Sequence, residues 1–395
     1  GAYLISSTAD LDAWLPFTQS AASGAVNGYT FKLANDLNMT GATTAYLPYF
    51  GATEFKGNTY SVNNFAYNRA ATAQIGFLGE VYKSTLTDLK VSTSGLVNGL
   101  EYVGGAVGSA YGAIISGGLS TLAADVSGTN FIGGYAGYVG QSVMYNTRSA
   151  QAISTAAKVS NINTIYSNAA PSSGYVGGLV GRFDSVAATN LSSNLPVTGT
   201  TRVGGLVGTY NYVSTFTPNN ANVTNYLGTQ LSASGAVTAS SSYAGGLIGA
   251  YNFNYGSNFN TEVMNLSYAS ATGTVTGASS YVGGLIGSTT GMLFDNLTAS
   301  GLVTQTASGY VGGLMGQFAR YYNGYDGLYY GAKLTNSNAT GNVVGSASGR
   351  AGGLIGNSDG TSITSSYATG NVTAVGNYAG GLVGYNNSTS TISSS

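Results

Sequence analysis

Few side chains in this sequence can do covalent or acid–base chemistry. There is no histidine and no cysteine. Their absence removes Ser-His-Asp and Cys-His nucleophile systems and the usual zinc ligand sets. Carboxylates remain, and a solenoid glycosidase or lyase would gather several of them beside a Lys or Arg. Asp88, Glu101, Asp125, Asp184, Glu262, Asp295, Asp326 and Asp359 are scattered instead. No two share a position in neighbouring repeats, so they read as solvated turn carboxylates. Asp10 and Asp12 are close in sequence but belong to the first turn of a short helix. Asp36 with Asn35 and Asn38 offers oxygen ligands for Ca²⁺, with too few carboxylates to complete a site. Glycine pairs recur, yet they lack the Lys-Ser/Thr ending of a phosphate loop and no helix follows them. The expectation is a chain with no catalytic residue, no cofactor and no metal.

What the chain has in place of reactive groups is a neutral, polar surface over an apolar core. Of its 395 residues 43% are apolar and only 6% charged, against roughly 25% charged in ordinary soluble domains. Twelve Lys and Arg against thirteen Asp and Glu leave a net charge of −1, which steers the chain towards neither nucleic acid nor an anionic membrane. Disorder is excluded as well, because it combines low hydrophobicity with high net charge. Sixty-one Gly and 31 Tyr, with many Ser, Thr and Asn, leave little repulsion to oppose contact between copies. Zero cysteine fits an exported bacterial protein. The first residue is Gly1 with no signal segment before it, which reads as a processed or excised chain. No apolar run approaches the ~18 residues of a membrane helix.

Internal repeats organise the chain. Tyr175-Val176-Gly177-Gly178-Leu179-Val180-Gly181 and Tyr281-Val282-Gly283-Gly284-Leu285-Ile286-Gly287 are clean copies of one motif. Its Gly-Gly pair falls at 104–105, 133–134, 177–178, 204–205, 245–246, 283–284, 312–313, 352–353 and 380–381, with a degenerate copy at Gly76-Phe77-Leu78-Gly79. The intervals are 29, 44, 27, 41, 38, 29, 40 and 28 residues, so the long ones are the short unit with insertions. A second motif, as in Gly235-Ala236-Val237-Thr238, Gly273-Thr274-Val275-Thr276 and Gly370-Asn371-Val372-Thr373, precedes the next pair by 10 or 11 residues. Two landmarks at fixed separation mean a fixed path per unit. Short extended segments rich in Val, Ile, Thr and Tyr, cut by Gly, Ser and Asn turns, predict a β-solenoid. Stacked coils bury a continuous core that no single coil could bury alone. Ten motif-bearing coils at ~4.8 Å would make a rod on the order of 50 Å long. Leu179 and Val180 are both apolar, so strict alternation fails there. A glycine bulge or an insertion covering the outer side would each account for that.

The Gly-Gly-Leu-Val-Gly and Gly-Gly-Leu-Ile-Gly units resemble the GLUG motif, over roughly 70–395. That family is known from large bacterial surface proteins, including adhesins and some immunoglobulin A proteases, where it forms solenoid stalks. The resemblance implies an all-β fold, a right-handed parallel β-helix, with an N-terminal cap containing a short helix. It implies no protease activity here, where histidine and cysteine are missing. Residues 1–70 are expected to form the cap and the approach to the solenoid, and 71–395 the repeats with Tyr-rich insertions. Ser7 or Thr8 would cap a helix through Trp14 or beyond. At the other end the sequence stops partway through a coil, leaving unpaired backbone groups as a template for another strand. One expectation is that Ala2-Tyr3-Leu4-Ile5 of a second copy adds there beside Thr391 and Ile392, head to tail. A segment cut from a longer adhesin is the other.

The insertions carry aromatic residues suited to interfaces. One holds Tyr321, Tyr322, Tyr325, Tyr329 and Tyr330; others hold Tyr210 and Tyr212, or Tyr251, Phe253 and Tyr255. They either meet other molecules or fold back over the solenoid. Thr238, Thr276, Thr304 and Thr373, broken by Val344, would line one outer face, as β-propensity alone would also arrange. The candidate interface residues are Tyr3, Leu4, Ile5, Tyr321, Tyr322, Tyr325, Tyr329, Tyr330, Thr391 and Ile392. The expected function is an extracellular adhesive stalk or self-assembling filament subunit at the bacterial surface. Its partners would be copies of itself or cell-surface glycans or proteins, with no nucleic acid and no membrane span. The alternative is a carbohydrate-binding or carbohydrate-active β-helix protein of lyase, glycosidase or tail-spike type.

Overall fold

The computed structural model describes residues 2–17, 28–42, 46–152, 157–160, 174–213, 226–254, 264–278, 280–323, 327–346, 348–375, 378–387 and 389–395. Short strands follow one another around each coil, and each pairs in parallel with its counterpart one repeat away. Gly104, Gly133, Gly177, Gly204, Gly245, Gly283, Gly312, Gly352 and Gly380 stand in one column. The sequence intervals are therefore the rung lengths. The fold is a parallel β-helix.

The leading ladder runs through thirteen strands, from Ala2–Ile5 to Thr391–Ser393. At ~4.8 Å per rung that is roughly 60 Å of stack. Within it Phe31, Phe55, Leu86, Ile115 and Met144 form one inward column. A second inward column is all valine: Val97, Val126, Val159, Val197, Val237, Val275, Val303, Val343 and Val372. These columns are one continuous apolar core, as stacking demands. Between the first two segments of each rung one residue takes a left-handed conformation. Asp88, Gly117, Asn146, Asn190, Gln230, Tyr268, Asn296, Asn336 and Ser365 do so with φ from 49° to 66°. Asn, Asp and Gly tolerate this best, which is why such residues punctuate the repeats.

The Gly-Leu corner resolves the failed alternation. Tyr175–Gly177 ends one strand, Val180–Asp184 begins the next, and Gly178-Leu179 is the bend between them. The N–H groups of Leu179 and Val180 both donate to the carbonyl of Leu206 in the next rung, at 2.9 and 3.0 Å. Consecutive N–H groups aimed the same way mean a bent chain, so both side chains turn inward, and both are 0% exposed. Neither a bulge nor an insertion is involved. Leu206, Leu247, Leu285, Leu314 and Leu354 repeat the arrangement.

At the N-terminal end a helix spans Thr8–Trp14, followed by a 3₁₀ turn at Leu15–Phe17. Ser6 and Ser7 N–H groups donate to the Asp10 carboxylate at 2.7 and 2.9 Å, which satisfies donors a helix start leaves free. Leu11 is buried and Trp14 packs edge-on against Phe31, so the helix covers the end of the core. The extra residues of the 40-residue rung form the antiparallel hairpin Tyr321–Asn323 with Leu328–Tyr330. No helix among the described residues is long and apolar enough to cross a membrane.

Candidate functional site: an aromatic and arginine groove

The strand before each Gly-Gly pair presents one large side chain, two residues ahead of the first glycine. In order these are Tyr102, Phe131, Tyr175, Arg202, Tyr243, Tyr281, Tyr310, Arg350 and Tyr378. Parallel in-register pairing puts them at rung spacing, which is close to the separation of stacked rings. Tyr102 and Phe131 stack at 4.8 Å and 4°, Phe131 and Tyr175 at 5.0 Å and 1°. Tyr243, Tyr281 and Tyr310 follow at 5.5 Å each. Where a ring is missing a guanidinium replaces it. Arg202 lies 4.9 Å from the Tyr175 ring and 5.3 Å from Tyr243. Arg350 lies 5.1 Å from Tyr310 and 4.9 Å from Tyr378. Both also donate to a phenol, Arg202 to Tyr175 at 3.0 Å and Arg350 to Tyr310 at 2.9 Å.

The corner folds the following strand back beside this ladder and makes a groove. A Cβ on Gly208, the third glycine of its motif, would stand 2.6 Å from the backbone nitrogen of Val176 in the preceding rung. Glycine is the residue that allows this approach. Side chains of the second wall consequently reach the ladder. Tyr138 meets Tyr102 edge-on at 5.9 Å, Arg182 lies 5.6 Å from the Phe131 ring, and Arg350 lies 4.1 Å from Tyr385.

Near its N-terminal end the groove opens into a cleft of about 460 Å³. Gln74 and Tyr102 stand on the ladder side; Glu80, Tyr82, Ser109 and Tyr111 come from the strands Leu78–Tyr82 and Val107–Tyr111. Tyr138, Arg182 and Asp184 close it. Arg182 Nε and Asp184 Oδ1 pair at 2.8 Å, and Asn211 donates to the same oxygen at 2.9 Å. Burial pushes the Tyr138 phenol above its ordinary range, and Asp184 adds to the shift. Burial would weaken the Arg182 cation, but Asp184 outweighs it and holds the proton more tightly. A second hollow of about 400 Å³ lies beside Tyr268, Asp295 and Lys333.

The expected interface residues fall in three places. Tyr3 and Leu4 are exposed at the first rung, Tyr3 stacked on Phe31 at 5.5 Å. Ile5 is 1% exposed and pairs with Leu33 inside the core; it shares the inward side of the strand with Tyr3, which pairs with Phe31, while Leu4 faces out. Thr391 and Ile392 are exposed on the last strand, in register with Ser362 and Ile363. On the hairpin Tyr322 and Tyr329 are exposed and meet at 5.0 Å, with Arg320 4.0 Å from the Tyr329 ring. Tyr330 is half-buried and Tyr321 packs against the core. Tyr325 and Tyr255 lie outside the described residues.

Two further tyrosines expected on insertions are core residues. Tyr210 and Tyr251 are buried and stack at 4.7 Å, because the strands Val207–Val213 and Ile248–Asn254 carry them inward in register. Tyr212 and Phe253 pair on the same strands. Thr238, Thr276, Thr304, Val344 and Thr373 do stand in one outer column, with Thr198 below them. Asp36 accepts from the Ser61 N–H at 2.8 Å, and Asn38 accepts from Thr40 and Asn64, so these oxygens tie turns together. Among the described residues no three His, Cys, Asp or Glu converge as metal ligands. The aromatic column and Glu80 were not singled out from sequence. The column's signal was present, since Tyr, Phe or Arg stands two residues before all nine Gly-Gly pairs; Glu80 carried no comparable signal.

Residues 347–373 match the family model described as the GLUG motif, spanning the Gly352-Gly353 pair and Gly370-Asn371-Val372-Thr373. No curated protein matches the chain in sequence. A solved structure from Bacteroides ovatus, described as that of a "putative immunoglobulin A1 protease", is similar at 15% identity over 95% of this chain and 77% of that one, with a TM-score of 0.27. The architecture of this chain rests on its own strand pairings and not on that likeness. Residues 347–373 thus carry the GLUG motif, within a chain folded as a parallel β-helix.

Proposed function

We propose that this β-helix is a non-catalytic structural protein of the bacterial exterior, an adhesive stalk or a self-assembling filament segment. The observation that carries this reading is the unbroken leading ladder of thirteen strands. A repeat stack of this kind transmits each rung's stability to its neighbours and makes a long rod with a repetitive surface. Its surface chemistry suits contact: 6% of residues are charged, and the hairpin offers Tyr322, Leu328 and Tyr329, each more than half exposed. Aromatic clusters on a neutral surface favour association with other chains. Several carboxylates serve local bonds: Asp125 accepts from the Lys158 N–H, Asp295 from Thr335 and Asn336, Asp359 from Asn387.

Electron microscopy of the untagged protein across a concentration series tests the reading. Rods that join end to end or side by side as concentration rises are expected, and Tyr322→Ser with Tyr329→Ser should reduce lateral joining. Isolated rods at every concentration, with no attachment to bacterial or host cell surfaces, would sink it.

A further inference from the structure

We propose that the cleft at the N-terminal end of the groove binds a neutral pyranose unit of a carbohydrate. This goes beyond the stalk reading and does not depend on it. A volume of about 460 Å³ lies in the range of small-ligand sites and suits a ring of sugar size. The walls are aromatic. Tyr82 and Tyr111 stack at 6.0 Å and 7° on one side, Tyr102 and Phe131 at 4.8 Å and 4° on the other. Tyr111 is 36% exposed, and the next residue in its column is Gly140, so no further ring extends that stack. Phe131 is sandwiched between Tyr102 and Tyr175 and only 9% exposed, so the open face is that of Tyr111. An apolar C–H face of a pyranose matches it, and the sugar hydroxyls need a few placed donors and acceptors.

The cleft supplies those as well. Glu80 accepts, Gln74 both donates and accepts, and Ser109 does both; Gln74 Nε2 already reaches the Ser109 hydroxyl at 3.3 Å. Arg182 is neutralised by Asp184 at 2.8 Å. Lys83 lies 5.2 Å from the Tyr82 ring but is not among the lining residues. The lining itself therefore holds no uncompensated cation to receive a carboxylate or sulfate, while Glu80 would repel one. That selects neutral sugars over uronic or sialic acids.

The backbone marks the same rungs. Gln74, Tyr102 and Phe131 have φ of 57°, 55° and 54°, whereas Tyr175 to Tyr378 in the same column are not among the left-handed residues. Left-handed geometry is unusual for bulky side chains, and such residues cluster at binding sites. The three departures are confined to the rungs that line the cleft.

Titration calorimetry of the whole chain with cellotetraose, mannotetraose and chitotetraose, and with tetragalacturonate as the anionic probe, tests the proposal. At least one neutral probe should bind saturably. Tyr111→Ala should weaken it by about tenfold or more and Glu80→Gln by severalfold, with melting temperatures unchanged. The hairpin variant with Tyr322→Ser and Tyr329→Ser should bind normally, which separates this site from self-association. The proposal is overturned if no neutral probe saturates at millimolar concentration. It is equally overturned if binding survives both cleft substitutions, or if tetragalacturonate binds more tightly than the neutral probes.

Discussion

The guanidinium of Arg350 lies 5.1 Å over the ring of Tyr310 and donates to its hydroxyl at 2.9 Å. One side chain thus takes the place of a ring and ties down the ring beneath it. A flat cation can enter an aromatic stack because its faces attract the ring and its edge still donates hydrogen bonds. Arg350→Tyr should leave stability within about 1 kcal/mol of the original, since tyrosine is the commoner occupant. Arg350→Glu should cost about 1–3 kcal/mol by facing two rings with an anion. Thermal unfolding distinguishes them, and equal melting of both variants would refute the cation's role.

The glycine column predicts a positional contrast. A Cβ on Gly313 would stand 2.1 Å from the Gly353 carbonyl oxygen of the next rung, while one on Gly381 meets nothing within 4 Å. Both are the second glycine of the same motif. Gly313→Ala should cost about 3 kcal/mol or more, whereas Gly381→Ala in this chain should be within about 0.5 kcal/mol of neutral. Denaturant midpoints measure it, and a tolerated Gly313→Ala would contradict the packing of the corner.

Alkaline stability should depend on buried phenols. Burial raises the Tyr135 and Tyr251 hydroxyls well above their ordinary value of 10.0. A folded-state value above the unfolded one contributes stability that is complete below pH 10 and is lost as pH climbs beyond it. These two tyrosines should ionise only together with unfolding, visible as a late cooperative step in phenolate absorbance. Among the described residues Tyr135 Oη has no hydrogen-bond partner, so Tyr135→Phe should change neutral-pH stability by no more than about 1 kcal/mol and remove part of that step. Early, non-cooperative ionisation of both would show that they are accessible.

Acid behaviour has a different source. Partial burial would raise the Asp295 carboxyl, but hydrogen bonds from Thr335, Asn336 and Asn296 outweigh it and hold it below the ordinary 3.8. A depressed folded-state value contributes stability that is present above pH 4 and fades as pH falls through it. Asp295→Asn should flatten the acid limb of the stability curve without altering the alkaline limb. An unchanged acid limb would place the dependence on other carboxylates.

Much of the fold was legible from spacing. Nine Gly-Gly pairs and a phased Gly-x-Val-Thr motif implied fixed rungs, and Gly245 over Gly283 over Gly312 is that spacing made physical. The helix at Thr8–Trp14 was legible from Ser7 and the polar first turn. Tyr210 and Tyr251 were misplaced because their inward direction depends on where the strand Val207–Val213 leaves the corner. The burial of the Ile5 side chain was not legible either, since pairing with Thr30–Leu33 sets it beside Leu33.

The sequence by itself determined the repeat, its period, the parallel stacking and the shortage of reactive groups, because each follows from local residue choice and recurrence. Tertiary structure alone decided that Leu179 and Val180 both turn inward, that Tyr138 and Arg182 reach Tyr102 and Phe131, and that Glu80 shares a cleft with Tyr111. The physical reason is the Gly-Gly corner. Its angle emerges from backbone contacts such as Gly208 against Val176 one rung away, and no run of neighbouring residues specifies a contact between rungs.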